Sequence, residues 1–151
     1  MLGDFYIDTN FVISGSHLLM DSTSHIYVLP GMTLTINNSD LKACHRMWNG
    51  IFMMDSTANL ILNGDTIEDA FFAIQDTTGA KITVSNCMFN KNRRGIYIFG
   101  TSLSMLSTIS SCTFTSQDNS GSMAPTGDNE SAYSGIEVKN MNGWTLGGTN
   151  N

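Results

Sequence analysis

A short motif recurs along this chain: Asn49-Gly50-Ile51, Phe72-Ala73-Ile74, Arg94-Gly95-Ile96 and Ser134-Gly135-Ile136 each set a small residue before an isoleucine. The isoleucines stand 23, 22 and 40 residues apart, and Ile26 precedes Ile51 by 25. A period of 22–25 residues is too short for a domain and is the length of one coil in a stacked repeat. A second register runs beside the first: TLTINNSDL (33–41), NLILNGDTI (59–67), KITVSNCMF (81–89) and STISSCTF (107–114). Each places an apolar residue five positions after a strand ending, as Ile36/Leu41, Leu62/Ile67, Val84/Phe89 and Ile109/Phe114. Apolar and polar residues alternate inside these runs, which is the pattern of half-buried strands. Strands this short cannot bury a face alone, so the expected fold is all-β, a parallel β-solenoid of about five coils of 22–25 residues.

Composition narrows what such a coil does. Of 151 residues 41% are hydrophobic, enough to close a core, but only 13% are charged, while Ser, Thr and Asn make up about a third. That balance excludes charge-laced helical bundles. A net charge of −6 leaves no basic footprint for a phosphate backbone, so nucleic acid is excluded as a partner class. No apolar run approaches the roughly 18 residues of a membrane span, and the opening MLGDFYIDTN lacks the basic and apolar regions of a signal peptide. Cys44, Cys87 and Cys112 fit neither a disulfide framework nor a zinc knuckle.

The motifs NGIFM, GIYIF and GIEV, together with ITVSNCMFNKN, resemble the right-handed parallel β-helix repeats of the pectin-lyase-like superfamily. The segment ACHRMWNGIFM followed by TIEDAFFAI is similar to secreted and surface β-helix proteins of Bacteroidetes-type bacteria. The resemblance covers roughly 25 to 146 and is specific for fold rather than activity. It implies a single-stranded right-handed β-helix, a bacterial source, and a secreted or cell-surface location. Residues 1–151 are expected to form one such domain, with incomplete coils at both ends and a loop insertion over 115–134, where the period lengthens to 40. The last coil ends at GGTNN without a capping helix, which suggests a fragment of a longer protein and predicts end-to-end self-association.

Aligning coils on the inward isoleucine puts Tyr27, Phe52, Gln75, Tyr97 and Glu137 one residue later, outward and in one column. Aromatic faces take the apolar face of a sugar ring and Gln or Glu bonds its hydroxyls, so this column is the candidate ligand-binding strip. The plainer reading is that stacked aromatics stabilise neighbouring strands. Five residues before the isoleucines stand Arg46, Asp69 and Lys91, and six before stand His45, Glu68 and Asn90. These read as a surface ion-pair ladder, or as carboxylates able to bind calcium or do acid/base work. Thr35, Thr83 and Thr108 form an outward column interrupted by Ile61, which β-propensity explains without an ice-binding role. Cys87 and Cys112 share a coil position with Ser39 and Asp65, and are expected to stack as small residues without a disulfide. Asn38 and Asn86 precede them at a left-handed turn. Trp48, Phe71, Arg93 and Tyr133 read as a cover over a coil corner, with Arg93 in cation–π contact.

Enzymes of the resembled superfamily use acidic clusters on the strand face, and this chain lacks the Asn-Thr-Asp, Asp-Asp, Gly-His-Gly and Arg-Ile-Lys sets of polygalacturonases. No catalytic residue and no metal ligand is assigned, and calcium is the one cofactor held open. The expected role is a noncatalytic β-helix segment presenting an elongated face to a polysaccharide or a surface protein. The alternatives are a truncated polysaccharide lyase or glycoside hydrolase whose catalytic residues lie elsewhere, and a pure scaffold.

Overall fold

The computed structural model describes residues 1–99, 107–116 and 134–139, with the backbone of 145–147. Its strands form three parallel sheets. The first contains β1 (Phe5–Ile7), β4 (His25–Val28), β7 (Trp48–Met53), β10 (Ala70–Asp76), β13 (Arg94–Phe99) and β16 (Ser134–Lys139). The second contains β2 (Phe11–Ser14), β5 (Thr33–Asn37), β8 (Asn59–Asn63), β11 (Lys81–Ser85), β14 (Thr108–Ser110) and β17 (Thr145–Gly147). The third contains β3 (His17–Met20), β6 (Asp40–Ala43), β9 (Thr66–Glu68), β12 (Met88–Asn90) and β15 (Thr113–Thr115). Each coil from β1 to β15 contributes one strand to each sheet, and β16 and β17 extend the first and second, so the chain winds as the expected β-solenoid, with about five coils stacked in order.

The register follows the two sequence periods. Ile26, Ile51, Ile74, Ile96 and Ile136 pair in series, and so do Ile36, Leu62, Val84 and Ile109. Leu41, Ile67, Phe89 and Phe114 do the same in the third sheet, where the last two rings stack at 4.9 Å. These columns line the interior, and Ile26, Ile51, Ile74, Leu62 and Ile67 have no exposed surface. Burial of each such aliphatic side chain stabilises the fold by about 1.5–3 kcal/mol. A coil preceding Ile26 joins the stack through Phe5, Ile13 and Leu18. The insertion expected over 115–134 falls mainly on 117–133, outside the described residues; Thr115 ends β15 and Ser134 begins β16.

One register expectation is corrected. Gly50 does not pair with Ala73: Trp48 pairs with Ala70, Gly50 with Phe72, and then Ile51 with Ile74, so Ala73 is an extra residue in β10. Such a bulge rotates the preceding side chain and sharpens the local twist. It also presses the Phe72 carbonyl against Gly50, whose φ is 117° and where an added Cβ would lie 1.5 Å from that oxygen. β13 carries the extra residue too, since Phe72 pairs with Arg94 and Ile74 with Ile96.

The corner between the second and third sheets is a side-chain ladder. Gly15, Asn38, Gly64, Asn86 and Ser111 all take positive φ there, from 48° to 72°. The next residue on each coil, Ser16, Ser39, Asp65, Cys87 or Cys112, turns its side chain inward along the stack. Ser16 N–H donates to Ser39 Oγ at 3.1 Å, Ser39 N–H to Asp65 Oδ1 at 2.9 Å, and Asp65 N–H to Cys87 Sγ at 3.5 Å. Cys112 follows on the next coil, where Thr113 N–H donates to Cys87 O at 2.9 Å. The same side chains close their own turns on residue i−2: Ser39 Oγ donates to Asn37 O at 2.9 Å and Asp65 Oδ2 accepts Asn63 N–H at 2.9 Å. Both cysteines are free thiols, stacked as expected. Cys87 Sγ donates to Ser85 O at 3.1 Å and Cys112 Sγ to Ser110 O at 3.2 Å, closing their turns as serine does; the adjoining Cys112 thiol and burial push the Cys87 thiol up, and the adjoining Cys87 holds Cys112 below the usual thiol range.

Two predictions follow from this packing. Gly50→Ala is expected to cost about 3 kcal/mol or more, because a side chain there both meets the Phe72 carbonyl and strains a positive φ; chemical denaturation measures it. Burial raises the Asp65 pKa, outweighing the Ser39 and Asn63 N–H bonds that lower it, with the Asp40 charge adding to the rise. The folded state therefore holds this proton more tightly than the unfolded chain. Its stabilising effect is complete below the unfolded pKa of about 3.9 and is lost as pH rises through the folded value. Asp65→Ser, the residue used at rung 39, is expected to flatten that decline in thermal melts run upward from about pH 3.5.

Candidate functional site

The outward face of the first sheet carries the predicted column in register: Tyr27 pairs with Phe52, Phe52 with Gln75, Gln75 with Tyr97 and Tyr97 with Glu137. All five residues are half-buried. Tyr6 extends the column by one coil through its pairing with Tyr27, and its ring stacks on Tyr27 at 5.1 Å. A second outward column runs His25 and Gly50, two residues before Tyr27 and Phe52, then Phe72, Arg94 and Ser134, three residues before Gln75, Tyr97 and Glu137 because of the extra residue.

The two columns interlock. His25 stacks on Tyr27 at 5.0 Å and meets the Phe52 ring edge-on at 5.2 Å, in the space left open by Gly50. Gln75 breaks the run of rings in its own column, but the bulge at Ala73 turns Phe72 outward to bridge the gap. Its centroid is 6.4 Å from Phe52 and 5.7 Å from Tyr97. The result is an unbroken chain of rings, Tyr6, Tyr27, Phe52, Phe72 and Tyr97, that follows the solenoid axis. Each ring pair adds about 0.5–1.5 kcal/mol beyond the area it buries, so the strip also braces the sheet.

Charges close both ends of the strip. At one end Asp4 Oδ1 is 2.7 Å from His25 Nδ1, and Tyr6 donates its hydroxyl to Asp4 Oδ2 at 3.5 Å. Burial raises the Tyr27 pKa, with the charges of Asp4 and Tyr6 adding to it, so Tyr27 is a hydroxyl donor at any ordinary pH. At the other end Arg94 lies over both Phe72 and Tyr97, at 5.1 and 5.3 Å, and its Nε is 3.3 Å from Glu137 Oε2. Lys139 sits 2.7 Å from Glu137 Oε1. The bond from Lys139, with the charges of Lys139 and Arg94, holds the Glu137 carboxyl below the usual carboxylate range. Glu137 is therefore a standing acceptor and not a proton donor.

The other sequence columns are redistributed by a longer corner between β6 and β7, where Trp48 follows Leu41 by seven positions while their partners Ala70 and Ile67 are three apart. Arg46 does not lie level with Asp69; it is exposed, whereas Asp69 and Lys91 form a buried pair at 3.6 Å. The expected surface ladder is thus a buried ion pair at a left-handed corner, where both residues have positive φ. His45 likewise does not align with Glu68. Lys42 does, at 3.2 Å, and Asn90 donates to Glu68 Oε1 at 2.5 Å from the other side. Lys42, Glu68, Asp40 and His17 line a groove of about 400 Å³ on the third sheet, with His17 Nδ1 at 2.7 Å from Asp40 Oδ2. Among the described residues no three His, Cys, Asp or Glu side chains converge as a metal cluster.

Trp48 is corrected as well. It has no exposed surface and is not a cover over a corner: its indole lies inside the coil and donates to Glu68 O at 2.9 Å. Ala70 and Asn92 follow at that corner, and Asn92 bonds Ala70 N–H and Ile67 O, each at 2.8 Å. Arg93 does lie over Phe71, at 5.9 Å, while Tyr133 falls outside the described residues. The outward Thr35, Ile61, Thr83 and Thr108 column stands in register.

Sequence reasoning missed Tyr6, His25, Phe72 and Arg94 on the strip. Tyr6 was signalled by the first coil's own spacing, since Ile13 and Leu18 are five apart like Ile36 and Leu41. His25 was signalled by strand alternation, two residues before Tyr27, whereas Phe72 and Arg94 needed the bulge, which no spacing announces. No curated protein and no solved structure matches the chain. The family described as right handed beta helix region matches residues 5–142, which includes the first coil and every strand of the aromatic strip. With parallel sheets wound coil on coil over that same span, the chain belongs to the right-handed β-helix family.

Proposed function

We propose that this chain is a noncatalytic β-helix segment of a secreted or cell-surface protein, and that the outward face of its first sheet docks a polysaccharide. The observation that carries the reading is the ring chain from Tyr6 to Tyr97, half-exposed and continuous along the axis. An extended sugar chain laid on that face meets apolar ring surface at every coil. Tyr27, Gln75 and Glu137 offer hydroxyl, amide and carboxylate groups to its hydroxyls. Phe52 and Tyr97 are the platforms.

Charge placement supports binding over hydrolysis on this face. Asp4 and Glu137 are the carboxylates at its two ends, on strands five coil spacings apart, or about 24 Å. A glycosidase pair stands about 5–9.5 Å apart. Glu137 is also held ionised, which removes the general-acid role.

The test is retention on a broad glycan array, with calcium and with chelator, for the chain and its Phe52→Ala/Tyr97→Ala variant. Loss of two ring platforms is expected to weaken retention about tenfold or more while the variant keeps a cooperative melt. Silence of the parent chain under both conditions would overturn the reading in favour of a protein ligand or a scaffold. Equal retention by the variant would move the site off this strip.

A further inference from the structure

The middle of the aromatic strip carries no ionised side chain. Tyr27, Phe52, Phe72, Gln75 and Tyr97 follow one another there, and burial keeps the Tyr27 hydroxyl protonated. Two residues beyond Tyr27, Phe52, Gln75 and Tyr97 stand Leu29, Met54, Thr77 and Phe99, all uncharged and none of them buried. The ionised groups are confined to the margins, and each is already engaged. Asp4 meets His25 at 2.7 Å, Glu137 meets Arg94 at 3.3 Å and Lys139 at 2.7 Å, and Arg93 lies over Phe71.

We infer, taking this face as the polysaccharide site proposed above, that it is selective for a neutral glycan and that Gln75 sets the preference. Gln75 pairs with Phe52 on one side and with Tyr97 on the other, which puts its amide at the centre of the strip. An amide offers two donor hydrogens and an acceptor oxygen, the complement of sugar hydroxyls, which both donate and accept. A sugar carboxylate laid there would give up its water to ring surface and meet no cation, and a charge desolvated without a partner is strongly disfavoured. At longer range the net charge of −6 repels a polyanion before contact. Calcium does not reverse this from the protein side, because among the described residues no three His, Cys, Asp or Glu converge to hold it. A neutral chain of hydroxyl and ether oxygens meets none of these penalties.

The experiment is retention of the full chain on immobilised neutral polymers (xylan, mannan and mixed-linkage glucan) and acidic ones (polygalacturonate and alginate), with calcium and with chelator. Retention on at least one neutral polymer is expected to exceed that on either acidic one by about tenfold or more. It is expected to change less than about twofold between about 0.05 M and about 0.5 M salt, since no long-range charge contributes. Gln75→Ala is expected to weaken neutral retention about three- to tenfold, the effect of losing a hydrogen bond. Gln75→Arg places a cation at the centre and is expected to raise retention on polygalacturonate about tenfold at low salt, a gain erased at high salt. Gln75 is half-buried on the outer face, so both variants are expected to keep the parent's thermal melt. Acidic retention by the parent equal to or above neutral retention would overturn the neutral preference and leave the docking face standing. An unchanged profile in both variants would take that preference away from Gln75. Silence on every polymer would overturn the docking face itself, and the preference with it.

Discussion

Successive coils are joined by parallel backbone hydrogen bonds at a rise of about 4.8 Å, so the neighbour of any residue is the residue in the same position one coil on. Everything else in the molecule inherits that constraint. An apolar position becomes an interior column, as with Ile26, Ile51, Ile74 and Ile96. A corner position becomes a ladder, as with Ser16, Ser39, Asp65 and Cys87. An outward aromatic becomes a strip. The side chains differ in chemistry, but their spacing is set by the backbone.

The bulge at Ala73 shows how one residue alters such a lattice. Before it, the outward column two residues ahead of Tyr27 and Phe52 ends at Gly50, which has no side chain. After it, Phe72 and Arg94 occupy that column and fill the opening. The same step sets Trp48 level with Ala70, while the longer corner before it, seven positions from Leu41 to Trp48 against three from Ile67 to Ala70, takes Arg46 and His45 out of line and leaves Asp69 with Lys91 and Glu68 with Lys42 and Asn90. The continuity of the aromatic face is therefore the result of a single insertion.

Much of this was legible before any coordinates. The interior columns, the left-handed corner at Asn38 and Asn86, the stacked free thiols and the column from Tyr27 to Glu137 all follow from local period and residue type. What was misread lies on the N-terminal side of the isoleucines. Counting back from Ile51 and from Ile74 gives the same answer only if neither strand has gained a residue, and a buried alanine added to a strand leaves no mark in the alternation of its neighbours. The first coil was missed for a different reason: its motif is Phe5-Tyr6-Ile7, without the small residue that announces the later coils.

By itself the sequence determined that short strands recur every 22–25 residues and must stack, because alternation and period are local properties of the chain. It also determined which faces are apolar and where turns require Gly or Asn. Only the tertiary structure decided which residues meet across coils, since a register shift of one residue is invisible along the chain and changes every partner on the shifted side. The chain of rings from Tyr6 to Tyr97, the pairing of Asp69 with Lys91, and the run of hydrogen bonds from Ser16 to Cys87 all belong to that second class.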